Sequence, residues 1–460
     1  MVNSVHKIIE WDQALIEKYN YSGPRYTSYP TALEFSESFT EQDFVKSIVN
    51  SENDSLSLYI HIPFCHMLCY YCGCNKIITR HQDKAERYLE YLAKEIAYQS
   101  KLFKHQVVTQ IHLGGGTPTF LTKQQISWLM NVLRQSFQLA SDGEYSIEID
   151  PREIELDTLD HLRQEGFNRI SLGVQDFNKD VQKAVNREQS EKFIFDMIER
   201  ARSLGFVSTS IDLIYGLPHQ TTESFTKTIE RVIELSPDRL SVFNYAHLPQ
   251  MFAAQRKLKE DDMPSPRQKL QILENTINQL VAAGYQYIGM DHFAKPDDEL
   301  AVLQNNGKLH RNFQGYTTKP ECDLLGLGVS AISQIGDCYA QNHKDIKEYY
   351  SSVDARSNAL WKGVGLSQDD FIRRAVIKQL ICHFELDFKT IESQWDLNFE
   401  DYFKEDLQLL QVFIDDKLVK YDDRSLKVTP KGELLIRNIC MCFDVYLRDR
   451  ARQQQFSRVI

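Results

Sequence analysis

Short runs rich in β-branched and aromatic residues recur along the first two thirds of this chain, with longer amphipathic stretches between them. The runs are "SLYIHI" (57–62), "TQIHL" (109–113), "SIEID" (146–150), "RISLGV" (169–174), "STSIDLIY" (208–215), "RLSVFNY" (239–245) and "YQYIGMD" (285–291). Between them lie segments such as "AERYLEYLAKEIAYQS", "KQQISWLMNVLRQSF" and "SEKFIFDMIERARSLG", whose apolar residues follow helical spacing. Strands alternating with helices of about ten or more residues predict βαβ units and a parallel sheet.

A barrel and an open doubly wound sheet share that pattern. Glu148, Gln175, Asp212 and the turn "GGGTPT" (114–119) fall at or just past the C-terminal ends of their strands. Barrel enzymes build their sites on that face, although open sheets bind ligands there too. The expected fold is α/β, a TIM-type barrel over residues 56–355, of the partial (β/α)6-like form that the family resemblance of the motifs below implies. Residues 1–55 form an N-terminal extension in which "YSGPRYTSYPTA" (21–32) is extended and proline-punctuated, as in a tether or a lid. Beyond residue 355 helix-like segments with capping signals dominate, and "KLVKYDDRSLKVTP" (417–430) reads as a hairpin. Residues 356–460 are therefore expected to form a mainly helical, winged-helix-like domain.

The 53 basic and 64 acidic residues leave a net charge of −11, which argues against general binding of nucleic acid or anionic membrane. An anionic substrate would need a local basic pocket. The N-terminus lacks the apolar core of a signal peptide, and "LLGLGVSAI" (324–332) is about half the length of a membrane span. Nine cysteines, four of them crowded together, are poor material for a disulfide framework. The chain is read as cytoplasmic and reduced.

The crowded four lie in "YIHIPFCHMLCYYCGCNK" (59–76), spaced Cys65-x3-Cys69-x2-Cys72-x-Cys74. One reading is a zinc site, with His61 or His66 completing the set. Zinc motifs usually add a second cysteine pair further along, and none follows; Cys440 and Cys442 lie on an apolar, helix-like run. The triplet also suits a [4Fe–4S] cluster held by three thiolates, which leaves one iron open to a substrate group.

That triplet, on the loop after a first strand, resembles the signature of the radical S-adenosylmethionine (SAM) superfamily. With "GGGTPTFL", "SIEIDPREI", "GFNRISLGVQDFN", "VNREQ", "IDLIYGLPHQT", "LSVFNYAHLP", "GMDHFA", "LHRNFQGYTT" and "QQFSRVI", the chain from about Tyr21 onward resembles the oxygen-independent coproporphyrinogen III oxidase family. The resemblance implies that Cys65, Cys69 and Cys72 bind the cluster. SAM would chelate the open iron and be cleaved to a 5′-deoxyadenosyl radical. Cys74 belongs to the same motif, either as a structural thiol or as a group near the substrate.

Tyr59, on the strand entering the loop, would face the sulfonium, an attraction worth roughly 1–2 kcal/mol when desolvated. Tyr71 matches an aromatic position that contacts SAM, and Gly115, Gly116 and Thr117 match the segment receiving its methionine moiety. Glu148, Gln175 and Asp212 suit ribose hydroxyls and an ammonium group. Arg187 matches a partner of the SAM carboxylate, and Ala246 and Ile332 match positions lining the adenine or methionine pockets. The family binds a second SAM near the first. The implied reaction converts two propionates of coproporphyrinogen III to vinyl groups, giving protoporphyrinogen IX. It consumes two SAM and releases two CO₂, two methionines and two deoxyadenosines; the electron donor and acceptor are not named. Arg25 is the leading candidate for a substrate carboxylate, and a monomer is implied. A haem-trafficking chaperone of the same superfamily is the rival, but such relatives generally carry "CDF" after the third cysteine and lack the "SGPRYTSYPT" segment.

Overall fold

Residues 9–319 and 322–448 are described in the computed structural model; the "QQFSRVI" motif lies outside them. Six parallel strands pair side by side in chain order: β1 (Ser55–Ile62), β2 (Val107–Gly115), β3 (Gln138–Ile149), β4 (Arg169–Gln175), β5 (Ser208–Tyr215) and β6 (Arg239–Asn244). Helices connect them, including α1 (Gln82–Gln99), α2 (Lys123–Ser136), α3 (Thr158–Gln164), α4 (Lys179–Ala184), α5 (Glu191–Ser203) and α6 (Thr222–Leu235). Thr122 and Thr221 open α2 and α6 with capping boxes, which satisfy helix N–H groups that have no intrahelical acceptor.

The strands alternate between two faces, with register shifts at Leu56/Ser57, Val108/Gln110 and Gly173/Gln175. Leu58, Ile60, Ile111, Leu113, Ile147, Leu172, Val174, Ile211, Leu213 and Leu240 are fully buried or nearly so. They meet the layer of helices, whose own buried residues include Leu89, Leu92 and Ile96 of α1 and Leu129, Met130 and Leu133 of α2. Each such burial contributes about 1.5–3 kcal/mol. The intervening residues Tyr59, His112, Glu148, Ser171 and Asp212 share the other face, because they contact one another across the strands. That polar face is the lumen of a partial barrel.

On the other side of β1 the sheet continues through β7 (Asp323–Leu327), parallel to it with Gly326 opposite Tyr59. Antiparallel β8 (Ile332–Ile335), β9 (Cys338–Asn342) and β10 (Leu360–Gly365) follow. The apolar stretch 324–332 is therefore β7 and the turn after it. Among the described residues no helix is long and apolar enough to cross a membrane.

These strands lie in one compact unit, Glu34–Ser265 with Glu321–Gly365; Met1–Leu33, Pro266–Pro320 and Leu366–Ile460 supply a second. The units thus depart from linear boundaries at 55/56 and 355/356. Ser36 bridges Gly363 of β10, so the residues beside both expected boundaries stay with the barrel strands. The run "YQYIGMD", expected as a further parallel strand, is instead Gln286–Gly289 in an antiparallel hairpin with His292–Ala294. Gly289 (φ 143°) and Met290 (φ 55°) turn the chain back on itself, ending the run before it reaches barrel length.

The second unit also holds a hairpin (His310–Asn312 with Gly315–Thr317), the helix Gln368–His383 and a three-stranded antiparallel sheet made by Glu385–Asp387, Ser425–Val428 and Val419–Tyr421. The segment expected as a tether or lid is bonded into this unit. Arg437 Nε donates to Pro24 O at 2.9 Å, Asn438 Nδ2 to Tyr19 O at 2.9 Å, and Tyr26 Oη to Asp444 Oδ2 at 2.9 Å.

The two-faced strands make a direct prediction. Leu172→Ala, on the helix-facing side, should cost about 2–5 kcal/mol in urea unfolding. Ser171→Ala next to it, on the lumen side, should cost under about 1 kcal/mol; equal losses would contradict this assignment of faces.

Candidate active site

Beyond β1 the chain leaves the sheet through a loop pinned at both ends. Phe64–Cys65 pairs in parallel with Ile77–Ile78, and Ile77 N donates to Pro63 O at 2.6 Å. Inside the loop Cys72 N donates to Cys69 O at 3.2 Å, and Asn186 Nδ2 donates to Leu68 O at 2.8 Å. All nine cysteines are free thiols; Cys65 and Cys69 are buried, Cys72 is half-buried and Cys74 exposed.

Each of the two buried thiols receives hydrogen bonds. Thr117 Oγ1 donates to Cys65 Sγ at 3.3 Å. Arg152 Nη2 and Arg187 Nη1 each donate to Cys69 Sγ at 3.4 Å. Asp150, just past the end of β3, holds both guanidiniums, at 2.6 Å from Arg152 and 3.1 Å from Arg187. Burial pushes this carboxyl up, but the charges of Arg187 and Arg152 more than reverse it, to about 2. Burial pushes the Cys65 thiol up to about 12, whereas a hydrogen bond from Cys74 and the charge of Lys76 pull Cys72 down against its burial. A bound metal overrides such a burial penalty, because a coordinating thiol is deprotonated outright.

The turn after β2 joins this loop to the lumen. Gly116 N donates to Ile62 O at 2.8 Å, Thr117 N to Phe64 O at 2.8 Å, and Gly115 N to Glu148 Oε2 at 3.3 Å. Gly115 has φ 115°, and a Cβ there would fall 2.6 Å from the His61 ring; one on Gly116 would fall 2.8 Å from the Pro63 backbone. No larger residue fits this approach.

In the lumen Tyr59 stacks on His112, with ring centroids 5.9 Å apart, and its hydroxyl lies 3.1 Å from His61 Nδ1. His112 Nε2 lies 3.2 Å from Glu148 Oε1, and Ser171 Oγ donates to Asp212 Oδ2 at 3.1 Å. The two carboxyls are driven apart. Burial raises Glu148, but its hydrogen bond with His112 brings it below the usual carboxylate range. Asp212 is raised to about 6, by burial first and then by the charge of Glu148.

Gln175 ends β4 in the left-handed region (φ 67°). Tyr71 packs against Val181, Val185, Leu217, Tyr245 and Leu258. Ala246 follows Tyr245, whose amide donates to Tyr215 O at 2.8 Å. Ile332 opens β8, its carbonyl 2.5 Å from where a Cβ on Gly326 would lie, and Gly326 faces Tyr59. Arg25 belongs to the other unit and is ion-paired with Asp291. Sequence reasoning did not single out Asp150, Arg152 or His112. The first two had a signal in "SIEIDPREI", a charged pair just past a strand's C-terminal end.

Residues 59–232 match the Radical SAM superfamily model and residues 366–435 the HemN C-terminal domain model. The chain is 66% identical to the oxygen-independent coproporphyrinogen III oxidase of Escherichia coli (strain K12), over 98% of its own length and 99% of that protein. The chain belongs to the oxygen-independent coproporphyrinogen III oxidase family. A Synechocystis protein of the same name is 48% identical, covering 98% of each chain. The solved structure of the Escherichia coli coproporphyrinogen III oxidase, described there as a radical SAM enzyme, aligns with a TM-score of 0.93 at 64% identity. It covers 95% of this chain and 99% of that one.

Radical SAM membership implies a [4Fe–4S] cluster and SAM, and the donors present suit both. Among the described residues no three His, Cys, Asp or Glu side chains close on one point as for a single metal ion. A cluster of four irons spaces its thiolates more widely. Arg187 Nε, Gln175 Oε1 and Asn244 Oδ1 are buried without a hydrogen-bond partner among the described residues. Buried polar atoms of this kind are costly unless a ligand satisfies them.

Two measurements test the electrostatics. Asp150→Asn leaves two buried guanidiniums short of their counter-charge, so unfolding should cost about 3–5 kcal/mol less, with reduced iron uptake on anaerobic reconstitution. Asp212, raised when folded, contributes stability below the unfolded carboxylate range and loses it as pH rises through about 6. The stability gain of Asp212→Asn over the parent should therefore grow by about 1 kcal/mol between pH 5 and pH 8, read by urea unfolding at each pH.

Proposed function

We propose that this chain carries out the oxidative decarboxylation of two propionates of coproporphyrinogen III to vinyl groups, giving protoporphyrinogen IX for haem biosynthesis. One observation carries the reading: a single glycine-rich turn binds the cysteine loop through Thr117 and the polar lumen through Gly115. That turn ties the cysteine loop to the polar lumen at the C-terminal ends of the strands.

When bound, the cluster and SAM supply the one-electron chemistry that removes a hydrogen atom from the propionate β-carbon. Cys65, Cys69 and Cys72 hold the cluster and leave its fourth iron to SAM. Arg187 uses its unpartnered Nε for the SAM carboxylate, while its other nitrogens stay on Cys69, Asp150 and Gly173. Glu148, ionised by its environment, accepts from hydroxyl or ammonium donors, and Asp212 holds a proton it can donate in a hydrogen bond below about pH 6. Gln175 offers its carbonyl oxygen. Gly115, Gly116 and Thr117 present backbone to the methionine moiety, Tyr59 its ring face to the sulfonium, and Tyr71, Ala246 and Ile332 line the pocket.

The same residues serve two SAM molecules, one consumed per propionate. Each event releases CO₂ and, besides the abstracted hydrogen atom, one electron that a separate acceptor takes. Cys74, exposed and hydrogen-bonded to Cys72, serves near the substrate rather than on iron. Nine free thiols suit a reducing compartment such as the cytoplasm, and the chain acts as a monomer.

The test is an anaerobic assay of iron-reconstituted protein with SAM, a reductant and coproporphyrinogen III, following deoxyadenosine and protoporphyrinogen together. Two deoxyadenosines for each protoporphyrinogen are expected; deoxyadenosine without vinyl product would sink the substrate. Serine at Cys65, Cys69 or Cys72 should abolish iron retention and product. Cys74→Ser should keep the iron and lose product, and loss of iron there would make it a ligand.

A further inference from the structure

The second unit carries a concentration of positive charge that the barrel site does not use. Arg311, on the hairpin strand His310–Asn312, is only 9% exposed. Its Nε and Nη1 have no hydrogen-bond partner among the described residues. Its guanidinium lies over the Tyr316 ring, 4.7 Å from the centroid. Arg437, 3% exposed, is nearby: burial, Arg25 and Arg311 all lower its basicity, Asp291 raises it, and the balance brings it to about 9. His310, which precedes Arg311 on its strand, is held neutral by burial and by the positive charges of Lys378 and His383. The carboxylate of this group, Asp291, is ion-paired with Arg25, whose side chain is 34% exposed.

A buried guanidinium is costly unless paired, and two of Arg311's donor nitrogens are unpaired in a region where Arg25, Arg437 and Lys378 add further positive charge. In a chain of net charge −11 this grouping of basic side chains is a local feature. Guanidinium groups bind carboxylates through paired, directional, charge-assisted hydrogen bonds, and Tyr316 fixes the plane of this one. We propose that Arg311, supported by Arg437 and Arg25, is a carboxylate-binding site of the second unit that takes a propionate of the tetrapyrrole substrate. The identity of that carboxylate rests on the function proposed above.

The test uses reconstituted full-length protein. Arg311→Gln should raise the KM for coproporphyrinogen III by about tenfold or more, as expected for a lost charge-assisted pair. kcat, the KM for SAM and the iron content should stay close to the parent, and Arg311→Lys should restore part of the loss. An unchanged KM in Arg311→Gln overturns the site.

A second measurement does not depend on a folded variant. Parent protein is labelled with phenylglyoxal and the modified arginines are mapped by mass spectrometry. Coproporphyrin III should protect Arg311, and its tetramethyl ester should not; equal labelling with both overturns the site. Protection by coproporphyrin III in a protein that forms no vinyl product would keep the site and remove the proposed function. Vinyl product with neither protection nor a KM effect would do the reverse.

Discussion

Parallel strands covered by helices on both faces read as continuous apolar runs, yet six successive strands here alternate apolar with polar residues. That alternation is the constraint on which the rest depends. Because the side-chain period of a strand is two, Leu172 and Ser171 must face opposite ways, and a slip of one residue would put the leucines in the lumen. Register between neighbours then sets the polar residues side by side: Tyr59 opposite His112, His112 opposite Ser146, Glu148 opposite Ser171, and Asp212 opposite Ser241. The helix layer supplies the stability, and the lumen is left free to be polar.

Polarity in such a space is tolerable only where charges are arranged. Asp150 between Arg152 and Arg187 leaves one net positive charge beside Cys69, a setting that suits a bound anion. Across the lumen Glu148 and Asp212 are pushed in opposite directions by their surroundings. Two carboxyls of one type can therefore act as acceptor and donor at the same pH. Neither effect needs a residue of unusual chemistry; each needs burial and a chosen neighbour.

The second unit uses charge in another way. Its N-terminal segment is held by backbone carbonyls of Gly23 and Pro24 on the buried Arg437, and by Tyr26 on Asp444. Arg25, Arg311 and Arg437 are grouped near one carboxylate, Asp291, which is ion-paired with Arg25. Guanidiniums are tolerated in such a group where they stack on rings or bond to carbonyls, as Arg311 and Arg437 do.

By itself the sequence determined the elements whose cause is local. The six strands and the helices between them follow from periodicity and capping, and the Cys65, Cys69, Cys72 triplet from spacing within one loop. Chain-long similarity of motifs carried the family. Contacts between distant residues were decided only in the tertiary structure. The guanidiniums on Cys69 come from 83 and 118 residues away, and no periodicity encodes such a meeting. The run "YQYIGMD" read as a barrel strand because its composition is that of a strand; a positive-φ pair at Gly289 and Met290 made it half of a hairpin. Arg25 read as a partner for a substrate carboxylate, and its ion pair with Asp291 exists because the chain returns to it 266 residues later. Local propensity and covalent spacing act within a few residues, whereas pairing, burial and electrostatic tuning require the chain to be folded.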